Sequence, residues 1–184
     1  RDDAIFVQAA TVTTPGGTIL MPYALVPGLA RASRRVRRAG HVPPGAMAVA
    51  VDPETGHLIP VPSGLDLPDD LYERLAATFP SRPADPRAFV DDEVAVGAIF
   101  TYARLPEPGV VHRSRAETLL SLVPSVRNLD LVRGRGVRGL ARLVAEASCY
   151  QGWWGSTQEM LDTLTRISDD VSTNGRTEDT PERS

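Results

Sequence analysis

Residues Ile19–Gly40 read ILMPYALVPGLARASRRVRRAG, and the interpretation of this stretch decides the fold. An apolar run enters it, Pro27-Gly28 turns the chain, and an Arg-rich segment leaves it. Strand, glycine turn and helix in that order are the framework of a phosphate-binding loop. From Leu29 to Ala39, the apolar residues Leu29, Ala32, Val36 and Ala39 recur at helical spacing. Arg31, Arg34, Arg35, Arg37 and Arg38 crowd the other faces, and Gly40 suits a helix C-terminus. A loop that holds a nucleotide would make the chain an enzyme; one that does not would leave a binding protein.

Working outward on the N-terminal side, Ile5–Val12 (IFVQAATV) predicts one strand, and Pro15-Gly16-Gly17 predicts a turn into a second strand over Thr18–Met21. Arg1-Asp2-Asp3 lacks an initiating Met, which leaves room for processing or for earlier residues, including further strands of the sheet. On the C-terminal side, Ala46–Val51 predicts a buried strand. Asp52-Pro53-Glu54-Thr55-Gly56 predicts a tight turn and His57–Val61 a returning strand. Leu67–Phe79 has helical spacing, and 80–86 is a proline-rich connection. Val94–Tyr102 (VAVGAIFTY) is the strongest strand signal, and its unbroken apolar run predicts a central position covered on both faces.

Pro106–Pro108 predicts a loop and Arg115–Leu122 a helix that stops before Pro124, whereas 126–135 fits a short strand or a loop. Gly136–Ala147 predicts an amphipathic helix with Val137, Leu140, Ala141, Val144 and Ala147 on its buried stripe. Cys149–Trp154 predicts a strand. Ser156 and Glu159 have the spacing of a capping box that opens a last helix through Ile167. The expected organisation is one α/β domain over 1–167, followed by a disordered polar tail over 168–184.

Composition narrows the function. The 184 residues are 42% hydrophobic and 23% charged, which suits one globular domain with a sizeable core. A formal net charge of −3 argues against a nucleic-acid binder. Cys149 is the only cysteine, so an intrachain disulfide and a Cys-rich zinc site are excluded. No apolar run reaches transmembrane length and no signal peptide is visible, which makes a cytoplasmic location the expectation, without membrane association. All twenty basic residues are arginine. A high-GC genome accounts for that bias, but it has a chemical consequence: the chain can supply no phosphate-binding, Schiff-base or general-base lysine.

In order and spacing, several segments resemble the HPr kinase/phosphorylase-like family. That family shares its core with phosphoenolpyruvate carboxykinase and includes small kinases found beside ribosomal-peptide tailoring genes. The segments are VQAATV and GGTILMP at 7–12 and 16–22, RAG at 38–40, AVAVDPETGHLIPVPSGLDLP at 48–68 and RGLARLVAEASCYQGWWGSTQEMLDTL at 138–164. The resemblance covers most of residues 5–167 and implies a mixed central sheet flanked by helices, with a P-loop core.

The departures from the family pattern bear on chemistry. Against the motif G-x-x-x-x-G-K-[ST], the chain carries Tyr23, Gly28, Leu29 and Ala30. Leu29 stands for the lysine that neutralises phosphate charge, and Ala30 for the hydroxyl that ligates Mg²⁺. Tyr23 replaces a glycine, and Pro27 removes an N–H that could donate to phosphate. The acidic pair that the family places before its Asp-Pro hairpin, as general base and metal contact, falls at Ala46 and Met47. Gln8 stands where the family often has His. The resemblance therefore implies a degenerate, pseudokinase-type member with no catalytic residues, cofactor or metal of its own.

Other constellations have plain structural readings. His41, His57 and His112 lie in separate turns or strand ends and read as surface polar residues. No G-x-S-x-G elbow surrounds Ser33, Ser63 or Ser114, and Cys149 reads as a small core residue. Asp91-Asp92-Glu93 reads as the solvated start of a strand rather than a metal site. Asp69-Asp70 suits a helix N-terminus. Trp153-Trp154 offers a stacking surface, although strand alternation should bury one ring. The Arg helix, with Arg31, Arg34, Arg35 and Arg38, is either a solvated face or an anion and partner contact, and Arg127, Arg133, Arg135 and Arg138 could extend it.

Three functions are compatible with these residues. The expected one is a catalytically inactive kinase-like protein that binds a peptide, a protein or a companion tailoring enzyme in peptide natural-product biosynthesis. The first alternative is an active ATP-dependent peptide or protein serine kinase, with Gly28 backbone and Arg31 or Arg34 rebuilding the phosphate site. The second is an anion or nucleic-acid binding module on the Arg31–Arg38 helix, disfavoured by the net charge and recognisable by steep salt dependence. An oligomer is compatible with all three.

Overall fold

The polypeptide crosses between two sheets at Gln8, and that crossing organises the molecule. A computed structural model describes residues 4–22, 25, 32–40, 49–59 and 93–177. The stretch expected as one strand over Ile5–Val12 is two: β1 (Ile5–Val7) and β2 (Ala9–Thr14). β1 pairs antiparallel with β4 (Val49–Val51), which pairs antiparallel with β5 (Leu58–Ile59), giving a three-stranded sheet. β2 instead forms a hairpin with β3 (Gly17–Pro22) at the side of a five-stranded sheet. The Gln8 N–H donates to the Ser125 carbonyl at 2.8 Å, so the residue between the strands is satisfied outside both ladders.

The five-stranded sheet has the order β2-β3-β6-β8-β7, with β6 spanning Val96–Tyr102, β7 Gly109–His112 and β8 Ser148–Trp153. β3, β6 and β8 are mutually parallel, and the two edge strands are antiparallel to their neighbours. β6 takes the central, two-sided place its apolar run predicted. β7 is a strand beyond the expected loop; a four-residue edge strand with His112 and Val111 in solvent carries almost no apolar signal.

Alternation assigns the side chains to two cores. Leu20, Ile99 and Cys149 face the first core, with Ile5, Val7, Val51 and Leu58 of the small sheet. Ile19, Met21, Ala98, Phe100 and Tyr150 face the second. Between β3 and β6 the register shifts, with Thr18 opposite Val96 but Ile19 opposite Ala98. The extra residue is Gly97, and this bulge places Val96 and Ala98 in opposite cores although they are two apart. Full burial of a Leu, Ile or Phe side chain stabilises by roughly 1.5–3 kcal/mol, so both layers contribute substantially.

The helices close the two cores. α1 (Ser33–Arg38) packs through Val36, with Ala32 before it, onto the second core. α2 (Arg115–Leu122) and α3 (Leu129–Glu146) cover the first. The ambiguous stretch at 126–135 resolves as a bridge from Val126 to Val7 followed by the first turns of α3. Asn128 fastens this junction: its Oδ1 accepts from the Phe6 N–H at 3.0 Å and its Nδ2 donates to the Ala4 carbonyl at 2.8 Å.

The buried face of α3 differs from the expected stripe. Gly136, Gly139, Leu140, Leu143 and Val144 are buried, with Ala147 just beyond, while Val137 and Ala141 are exposed. Glycines replace side chains where the turn at 52–56 presses on the helix. The Cβ of a substituted Gly139 would lie 2.6 Å from Pro53 Cα, and that of Gly56 2.7 Å from the Leu143 backbone nitrogen. Gly56 also has φ +78, a conformation other residues rarely adopt. The expected turn is present, with the Gly56 N–H on the Asp52 carbonyl at 2.8 Å and the Glu54 N–H on Asp52 Oδ1 at 2.8 Å.

α4 (Thr157–Thr177) begins with the expected capping box. Glu159 N–H donates to Ser156 Oγ at 3.2 Å, and Ser156 N–H to Glu159 Oε2 at 3.1 Å. The expected disordered tail from 168 is corrected: the helix continues to Thr177. Ser168 is buried and accepts from the Gly16 N–H at 3.0 Å, and Val171 packs on the second core. Polar residues here serve the first hairpin's turn, so low hydrophobicity did not signal disorder. The expected helix at 67–79, the proline-rich segment, His41, Asp91-Asp92 and residues 178–184 lie outside the described residues. Among the described residues no helix is long and apolar enough to cross a membrane.

Candidate functional site

In an open α/β sheet, ligands gather where the loops leave the carboxyl ends of parallel strands. Here that edge lies beyond Pro22 of β3, Tyr102 of β6 and Trp153 of β8. The stretch between β3 and α1 leaves from it, which puts the phosphate-loop framework at the expected edge. Tyr23, Gly28, Leu29, Ala30, Arg31, Ala46 and Met47 lie outside the described residues. Leu25, inside the same loop, is described: its side chain packs on the second core, which Trp154 also flanks.

Aromatic rings dominate this edge. Trp154 stacks on Phe100, with centroids 5.1 Å apart and planes inclined by 24°. Trp153 donates its Nε1–H to the Leu105 carbonyl at 2.9 Å and carries the Arg104 guanidinium 5.9 Å from its ring centre. Both tryptophans are half-buried, so the expected full burial of one ring is not seen; Trp154 stands past the end of β8, beyond its alternation. The carboxylate at this edge, Glu159, is already engaged by the backbone N–H groups of Gly155 and Ser156.

The two arginine groups do not join. Arg34, Arg35, Arg37 and Arg38 are exposed on α1, over the second core. Arg133, Arg135 and Arg138 belong to α3, over the first core on the opposite face of the sheet. The α3 group lines a groove instead, in two parts that share Arg135 and Arg138. About 340 Å³ lies among Leu131, Val132, Arg133, Gly134, Arg135 and Arg138. About 220 Å³ lies where Arg135, Arg138 and Arg142 face Pro53 and Glu54. Arg142 Nη1 donates to the Pro53 carbonyl at 3.2 Å and to the Glu54 carbonyl, and lies 3.5 Å from Glu54 Oε2. Sequence reasoning missed Arg142, although Arg135, Arg138 and Arg142 recur at the i, i+3, i+7 spacing of one helical stripe.

Isolated candidates take the plain reading. His57 bridges two carboxylates, Nδ1 to Glu93 Oε1 at 3.1 Å and Nε2 to Glu146 Oε2 at 3.2 Å, so it ties the hairpin to α3. The His112 ring lies against Tyr150, with centroids 4.7 Å apart. Cys149 is buried, and burial pushes its thiol pKa upward, the reverse of an activated nucleophile. Burial, reinforced by the charge of Asp170, likewise raises the Tyr150 phenol. Ser114 hydrogen bonds hold the Glu117 carboxyl below its usual value, as in a helix cap. Among the described residues no group of three or more His, Cys, Asp or Glu side chains is placed to hold a metal ion.

Comparison with protein-family models, curated proteins and solved structures gives no match for this chain. The architecture in hand is a mixed α/β sheet flanked by helices.

Proposed function

We propose that this chain is a kinase-like domain that has lost phosphoryl transfer and binds a peptide or protein partner, in a setting such as peptide natural-product biosynthesis. In this reading the core is of the HPr kinase/phosphoenolpyruvate carboxykinase type, and β3, the loop and α1 are its former phosphate element. The observation that carries it is a paired loss of chemistry. Leu29 and Ala30 occupy the positions of the phosphate lysine and the magnesium hydroxyl, and Ala46 and Met47 those of the acidic pair. The packing of Leu25 onto the second core supports it, because an apolar anchor inside the loop opposes an open cradle of backbone N–H groups.

Titration calorimetry with ATP and Mg²⁺ tests the reading, with thermal melting alongside. The expected result is no heat and no shift in melting. A dissociation constant near 1 μM, about −8 kcal/mol, would overturn it. At ligand concentrations about a hundredfold above such a constant, the native state would gain about 2.7 kcal/mol, easily visible in the melt.

A further inference from the structure

We propose that the kinked N-terminal half of α3 is a docking surface for an acidic peptide segment that carries aliphatic side chains. The inference builds on the partner-binding half of the function above and is independent of the nucleotide half. Four observations converge on this surface.

The first is its charge. From Arg127 to Arg142 the chain carries five arginines and one carboxylate, Asp130, inside a protein whose net charge is −3. Arg142 is tied to the Glu54 side, which leaves Arg133 and Arg138 as the principal cationic walls of the larger part of the groove. The second is exposed aliphatic area beside that charge. Leu131 is 79% exposed, Val137 41%, and Leu120 on the adjoining α2 71%. Single exposed aliphatic residues are ordinary, but Leu131, with Val132 beside it, lines the arginine-walled groove itself and makes it a mixed surface that water satisfies poorly.

The third is the backbone. Arg133 has φ 43 and ψ −128 inside the helix and is the one described non-glycine residue with positive φ. Its Nε donates to the Asp130 carbonyl at 3.3 Å. Strain of this kind is kept where a surface has a shape to hold. The kink lies within the groove, whose lining runs from Leu131 to Arg138. The fourth is the floor. The turn at 52–56 is pressed against α3 at Gly139 and Gly56, so the groove's second wall is fixed.

These features select the partner. Carboxylates accept from guanidinium donors in bidentate geometry, and an aliphatic side chain can cover Leu131 and Val132. A nucleic-acid backbone would use the arginines but leave the aliphatic residues wet. An acidic segment with leucine-type residues satisfies both halves of the surface.

Fluorescence anisotropy on the full chain tests this with a labelled peptide of repeated Glu-Glu-Leu units, compared with Glu-Glu-Ser and Lys-Lys-Leu peptides and a single-stranded oligonucleotide. The expected result is binding of the Glu-Glu-Leu peptide that weakens with salt, with the other three ligands bound at least about tenfold more weakly. The double variant Arg133→Glu/Arg138→Glu and, separately, Leu131→Ser should each reduce binding about tenfold or more while the circular dichroism spectrum stays unchanged. Equal binding of Glu-Glu-Ser, tighter binding of the oligonucleotide, no binding of any peptide, or indifference to both variants would overturn the proposal. So would loss of binding on Arg34→Glu/Arg35→Glu alone, which would move the surface to α1. Nucleotide binding in the calorimetric test would leave this surface standing, and failure of the peptide would leave the nucleotide result standing.

Discussion

Alanine at Gly139 should destabilise the protein, while alanine at Gly134, in the same helix, should stabilise it. Alanine is favoured over glycine in a helix interior by about 1 kcal/mol, a gain available in full at Gly139 and in part at Gly134, which follows the kink at Arg133. At Gly134 nothing opposes it, since an added Cβ meets no heavy atom within 4 Å. At Gly139 the Cβ would lie 2.5 Å from Ile5 Cδ1, 2.6 Å from Pro53 Cα and 3.2 Å from Pro53 Cβ. Carbon atoms are at their best near 3.5–4.0 Å, so each of these contacts is repulsive. Ile5 cannot swing aside because it is fully buried, and Pro53 is backbone in a turn whose carbonyl is held by Arg142.

Overpacking a fixed site costs typically ~1–3 kcal/mol. Taking the upper half of that range and subtracting the propensity gain leaves a net loss of roughly 1–2 kcal/mol for Gly139→Ala. Gly134→Ala should gain roughly 0.5–1 kcal/mol. The variants should therefore differ by about 2 kcal/mol, or roughly 4–8 °C in melting temperature for a chain of this size. Urea unfolding followed by circular dichroism measures both, with an unchanged m-value as the check that the same surface unfolds. If the two variants shift together, in either direction and by similar amounts, then the 52–56 turn does not rest on α3 and the groove has lost its second wall.

Three further outcomes follow from contacts elsewhere. Ser168→Ala should cost about 1 kcal/mol in urea unfolding, because the Gly16 N–H loses its acceptor in a part-buried site; no change would mean that the end of α4 is not docked there. Tyr150 has a folded-state pKa raised above its ordinary 10.0, chiefly by burial, so its contribution is complete below pH 10 and is lost as pH rises through the folded value. Tyr150→Phe should flatten this alkaline decline in pH-dependent melting, and an identical decline in the variant would contradict it. Cys149, buried and with a raised pKa, should react with a thiol reagent at pH 8 only as fast as the protein opens, and fully in denaturant; immediate reaction of the native protein would contradict the core position.

The parts of the fold legible in the sequence are those written in local chemistry. The apolar run of β6, the Ser156–Glu159 capping box, the 52–56 turn and the β2–β3 hairpin each depend on neighbours in the chain. What escaped depends on distant partners. Ile5–Val12 is evenly apolar, and nothing local reveals that Gln8 answers to Ser125 and passes the chain to a second sheet. Periodicity counts side chains, so it cannot show that Gly136 and Gly139 form the packed face of α3 and turn Val137 outward. A polar composition from Ser168 resembles disorder until the backbone of Gly16 supplies what those side chains bond.

Legibility of the site was uneven in the same way. The residue types at Leu29, Ala30, Ala46 and Met47, on which the proposed loss of chemistry rests, can be read directly. The second arginine group could be expected to extend the first, but the sheet separates them, with α1 on one core and α3 on the other. Exposure of Leu131 beside Arg133 required the kink, which no propensity announces.

The contacts between segments far apart in sequence also set an order of events during synthesis. Asn128 holds the outer edge of β1, 124 positions from Ala4, and Ser168 completes the turn of the first hairpin, 152 positions from Gly16. While the chain emerges from the ribosome, β2 can pair with β3 and β1 with β4, but the outer edge of β1 and the hairpin turn stay without these side-chain partners until residues 128 and 168 have been made. Such distant closures slow folding, because loop closure must precede the contacts that reward it. Until then the outer edge of β1 is an open strand edge of the kind that a chaperone would shield.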